Sequence, residues 1–78
     1  MNWDNVFMDI KKWMQASNQI MQRHPITSDE YWHWLVGSLG HLEQKYNSHP
    51  VVVGFCVSLM NYEELNWRKR EGENNEMG

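Results

Sequence analysis

The sequence predicts a small all-α domain, a three-helix bundle with helices at about 3–23, 28–46 and 50–70. Three observations carry this. Apolar residues recur at steps of three and four through residues 3–23 and again through 31–46. A helix-start signature, "TSDE", stands at 27–30. Two His-Pro pairs, at 24–25 and 49–50, punctuate the chain where helices stop or start.

In the first helix, Trp3, Val6, Phe7, Ile10, Trp13, Met14, Ile20 and Met21 fall on one stripe. At 100° per residue the stripe is roughly 140° wide, a core-facing width. Asn2 is placed to cap its start. Pro25 ends it, because the ring removes a backbone donor and disfavours helix at His24.

The second helix opens in "ITSDEYWHWLVG", residues 26–37. The capping box places Thr27 at the N-cap and Glu30 three residues on, with Ile26 and Tyr31 as the hydrophobic staple. Tyr31, Trp32, Leu35, Val36, Leu39, Leu42 and Tyr46 share one arc, expected to face the core. Gly37 and Gly40 lie on the opposite side and weaken the helix by ~1 kcal/mol each relative to Ala.

"YNSHP" closes the second helix and opens the third, with Ser48 as the expected cap and Pro50 in the first turn. The run "VVVGFCVSLM" fits a buried strand or a buried helix by pattern alone. A lone strand has no partner in this chain, so its amides would go unpaired. The segment is therefore read as one helix, ending at the basic residues Arg68, Lys69 and Arg70. Apolar nearly all round at its start, it belongs in the centre of a bundle or in a dimer interface. Residues 1–71 make a single helical domain, and 72–78 a flexible polar tail.

Composition narrows the function classes. The net charge is −3, so no basic field holds a phosphate backbone. The single cysteine, Cys56, excludes an internal disulfide and reads as a buried reduced thiol, which fits the cytoplasm. The start, "MNWDNVFMDI", lacks the basic n-region of a signal peptide. The ten-residue apolar run falls short of the ~20 a spanning helix needs, and a soluble protein is expected.

No motif for catalysis or ligand binding emerges. His24, His33, His41 and His49 lack zinc-ligand spacing, so no metal or other cofactor is expected. Asp29–Glu30 and Glu63–Glu64 are adjacent pairs that diverge by about 100° on a helix, so neither faces one substrate. Cys56 has no base beside it. Gly37 and Gly40 lack the lysine and the preceding strand of a phosphate loop.

The unusual feature is aromatic. Five tryptophans, each ~200 Å² or more, exceed what so small a core can enclose. Trp32 and Trp34 point about 160° apart around the second helix, so both cannot serve one core face. Trp34 sits on a polar flank with Ser38, His41 and Lys45; Met8 lies off the first stripe, and Trp67 lies among charges. Trp34, His41, Lys45, Trp67 and Met8 are the candidate partner-binding residues, with Trp34 as anchor.

In its short length, acidic balance and tryptophan content, the chain is similar to small proteins encoded by bacteriophages, which commonly bind and inhibit or redirect one host protein. The resemblance favours protein binding and assigns no residue. The leading expectation is a non-enzymatic protein-binding module, a phage-type inhibitor or modulator of a host protein. The alternatives are a helical homodimer joined through its third helix, with a structural or regulatory role, and a small DNA-associated regulator.

Overall fold

The structure, a computed structural model, describes the backbone of residues 1–77 and the side chains of residues 1–70. The tail expected at 72–78 lies outside the described side chains. Three helices follow in order: α1 (Trp3–Arg23), α2 (Asp29–Lys45) and α3 (Pro50–Met77). The segment 51–57 is helical, and the described residues contain no strand. No described helix is long and apolar enough to cross a membrane.

The helix ends follow local chemistry. Asn2 caps α1, its side chain accepting from the Asn5 amide at 3.3 Å. His24, ahead of Pro25, is extended, and its amide donates back to the Ile20 carbonyl. α2 is capped by Ser28 where the sequence pointed to Thr27. The Ser28 hydroxyl accepts from the Tyr31 amide at 3.3 Å and donates to the Pro25 carbonyl at 2.6 Å. The Ser28 amide also donates to the Pro25 carbonyl, so the turn out of Pro25 and the cap share one residue.

The expected cap at Ser48 is likewise replaced. Asn47 and Ser48 both take left-handed backbone, with φ of 53° and 54°. The Ser48 amide reaches back to the Glu43 carbonyl and the Asn47 amide to Gln44, the paired bonds of a Schellman ending. Ser48 therefore terminates α2. His49 opens α3 instead, its ring Nδ1 accepting from the Val51 amide at 3.2 Å.

α2 is the shared element, packing against both α1 and α3. Its buried residues Tyr31, Leu35, Leu39 and Leu42 meet Val6 and Trp13 of α1 and Val52 and Cys56 of α3. Ile26, in the connection before α2, is buried with them. The arc expected on α2 is thus too wide. Val36 is 59% exposed and Trp32 half-buried, because the neighbouring helices cover only the Tyr31–Leu35–Leu39–Leu42 line.

Three buried polar side chains cross this core. Ser17 of α1, Tyr31 of α2 and Glu63 of α3 meet with almost no exposure. The Tyr31 hydroxyl donates to Glu63 Oε2. The Ser17 hydroxyl lies 2.8 Å from the Tyr31 oxygen and 3.1 Å from the same carboxylate oxygen. The Asn66 amide donates to Glu63 Oε1 at 3.0 Å. Among the described residues, no buried side-chain polar atom lacks a partner. A satisfied network of this kind specifies one arrangement, since any shift of one helix strands a buried polar group. Burial, and then the Glu63 carboxylate, hold the Tyr31 phenol well above its ordinary pKa.

Candidate interaction surfaces

The residues singled out by sequence divide among separate places. Trp34 stacks on Trp13 with ring centroids 5.4 Å apart and planes 21° apart, and it tilts against Tyr31 at 5.8 Å. It is half-buried, so one face of its ring is already committed within the chain. Trp34, His41 and Lys45 line one shallow groove between α1 and α2, together with Lys12 and Trp13. The Trp13 indole N–H donates to Ser38 at 2.8 Å, which fixes the floor of that groove.

At one end of the groove Lys45 pairs with Asp9 at 2.8 Å, and the Tyr46 hydroxyl donates to the same carboxylate oxygen. The Lys45 hydrogen bond first, and the Tyr46 hydroxyl second, hold Asp9 below the usual carboxylate range. Much of the charge on this flank is therefore already matched internally. Trp67 lines a different hollow, with Thr27, Asp29, Trp32 and Glu64. There the Trp32 indole N–H donates to the Ile26 carbonyl at 2.6 Å, tying the ring to the chain entering α2. Met8 is exposed on α1 and lines neither hollow.

Cys56 is buried, and burial raises its thiol pKa. The Ser17–Tyr31–Glu63 cluster is sealed from solvent and ties three helices together. Among the described residues, no three His, Cys, Asp or Glu side chains converge as a metal cage.

The most exposed apolar surface lies elsewhere, along the edge where α1 and α3 run side by side. On α1 the sequence stripe splits. Val6, Trp13 and Ser17 are buried, whereas Trp3, Phe7 and Met14 are left open, Phe7 at 54% exposure. On α3, Val52, Cys56 and Glu63 are buried, whereas Val51, Tyr62 and Leu65 are open, the last two at 53% and 60%. α3 is thus not the enclosed centre of the bundle. Two aromatic contacts join the open edges: Phe7 meets Phe55 edge-on at 6.1 Å, and Trp3 meets His49 at 5.4 Å.

Sequence reasoning assigned the α1 half of this surface to the core and offered the α3 half as a bundle centre or a dimer interface, without joining the two, although the signal was present. Trp3, Phe7 and Met14 step by four and seven; Val51, Phe55, Ser58, Tyr62 and Leu65 step by four, three, four and three, with Phe55 partly buried against the core. That is the spacing of a seam made to meet another helix. The stretch "PVVVGFCVSLMNY", residues 50–62, contains no charged residue, although many of its side chains face solvent. Comparison of the chain with protein families, with characterised proteins and with solved structures finds no match.

Proposed function

We propose that this chain is a non-enzymatic, cytoplasmic protein-binding module whose docking face is the open edge of α1 and α3. The reading includes the phage-type role, in which such a module inhibits or redirects a host protein. One observation carries the docking face: large apolar side chains stand exposed in register on two adjacent helices, with no charge among residues 50–62. An apolar patch of this kind on a small protein is often functional. The heptad steps suit a helix as the docked element, laid into the shallow seam by knobs-into-holes packing.

The test is a capture experiment from the source cell with three baits: the native chain, Phe7→Ser/Tyr62→Lys, and Trp34→Ala. A captured protein that the native chain and Trp34→Ala retain, and Phe7→Ser/Tyr62→Lys loses, supports the α1/α3 face. Loss with Trp34→Ala alone moves the site to the groove of Trp34, His41 and Lys45. Equal retention by all three baits removes both surfaces from the function.

A further inference from the structure

The inference rests on the α1/α3 edge being a docking face, and it names the occupant in the free protein, one that a foreign partner on the same face would have to displace. We propose that this face is covered by a second copy of the same chain, α3 packing antiparallel against α3 about a twofold axis near Ser58.

Area supports a symmetric pair. With aromatic side chains at ~200 Å² each, the open parts of Trp3, Phe7, Met14, Val51, Tyr62 and Leu65 come to on the order of 600 Å² per copy. Two copies then bury about 1,200 Å², the lower bound of stable specific interfaces. A twofold pair also closes on itself, so one face satisfies both copies and leaves no further apolar edge to propagate.

Shape supports the register. Reversing α3 about Ser58 sets Val51 of one copy opposite Leu65 of the other, and Gly54 opposite Tyr62. Small meets large at the second pair. Gly54 is exposed, and a Cβ there would find nothing within 4 Å, so nothing in the chain itself blocks the second copy's Tyr62 from that position. Ser58, small and exposed, lies at the crossing itself.

Charge supports the direction. Because residues 50–62 are uncharged, pairing brings no like charges together along the seam. A parallel pair would stack Arg68, Lys69 and Arg70 on their own counterparts, which repel. The antiparallel pair instead separates the two basic clusters to opposite ends of the seam. The groove of Trp34 stays open on each copy for another partner.

The test combines mass in solution with cysteine pairing. Sedimentation of the native chain at tens of micromolar should give twice 9.4 kDa. Tyr62→Lys/Leu65→Lys changes two exposed positions, so it should keep its helical circular dichroism while weakening the dimer at least a hundredfold. Under mild oxidation, Val51→Cys mixed with Leu65→Cys should crosslink in the mixture and scarcely in either variant alone. The native chain is the control, since Cys56 is buried. Crosslinking of each variant with itself would overturn the antiparallel register. A native chain that stays at 9.4 kDa overturns self-docking and leaves the docking face to the capture experiment. A dimer that survives Tyr62→Lys/Leu65→Lys is held through another surface, which overturns this proposal and leaves the α1/α3 edge to the capture experiment.

Discussion

Leu35 and Leu65 are the same residue type on helices of one small bundle, yet Leu35 is fully buried and Leu65 is 60% exposed. Leu35 lies on the line where α2 meets both neighbours. Leu65 lies on the outer edge of α3, one helical step from that contact. The chain has a closed side organised by α2 and an open side where α1 and α3 run past each other uncovered. The difference teaches that apolar spacing announces a helix and a stripe, while neighbours decide how much of the stripe is covered. Three helices cannot cover stripes as broad as those of α1 and α3.

The comparison breaks hardest on the closed side. Leu35→Ala should cost ~2–5 kcal/mol, the range for emptying a tightly packed leucine site. In a domain of this size each kcal/mol moves the melting temperature by roughly 4–8 °C. The variant should therefore melt at least about 8 °C earlier, or fail to fold. A thermal melt followed by circular dichroism decides. A melt close to the native one would mean that the closed side is not closed.

Tyr31→Phe probes the same side through its polar centre. It keeps the ring and removes the hydroxyl, leaving Ser17 and Glu63 buried with a partner fewer. The expected cost is ~1–3 kcal/mol. A second signature separates this from simple packing loss. The folded phenol titrates above its unfolded value, so the native chain loses stability as pH rises past the unfolded value of about 10. Melts of Tyr31→Phe between pH 8 and 11 should be flatter than native ones.

Ser28→Ala should cost ~1 kcal/mol, the usual value of an N-cap. Thr27→Ala should cost clearly less, since the structure assigns the cap to Ser28. Reversed effects in chemical denaturation would restore Thr27 as the cap.

Asp9 gives a smaller effect, confined to acid. Its folded pKa is depressed by Lys45 and Tyr46, so its stabilising contribution is present above the unfolded carboxylate value of about 4. The contribution fades as pH falls through the folded value. Asp9→Asn should lose a little stability at pH 7 and show a shallower decline between pH 5 and 2. A decline as steep as the native one would assign acid sensitivity to other carboxylates.

Much of this fold was legible because its signals are local. Pro25 stops α1 at His24, and the spacing of apolar residues marks α1 and α2. The absence of a second strand decided 51–57. Thr27 and Ser28 are neighbours with equivalent hydroxyls, and only the turn from Pro25 chooses between them. Val36 reads as core until the positions of α1 and α3 show that nothing reaches it. Ser17 and Glu63 were missed because polar residues are read as surface. Spacing did contain them: Val6, Ile10, Trp13 and Ser17 share one register, as do Val52, Cys56, Leu59 and Glu63. Trp34, His41 and Lys45 were grouped by helical angle and do line one groove. The stacking of Trp34 on Trp13 needed the fold, because the two lie on different helices.

Leu65→Ala is the gentlest perturbation and the sharpest partner to Leu35→Ala. In dilute solution it should change stability by no more than about 0.5 kcal/mol, as expected for a surface position with no special role. The methyl groups removed already face water, and alanine is at least as good a helix former as leucine. Raising the protein concentration should separate the variants. If α3 docks a second copy, the native chain gains melting temperature with concentration by mass action, and Leu65→Ala gains less. Leu35→Ala should instead lose the same stability at every concentration at which the native fold persists. A concentration-independent melt for both the native chain and Leu65→Ala would leave the open side unpaired with itself, and its exposed leucine would then await a different chain.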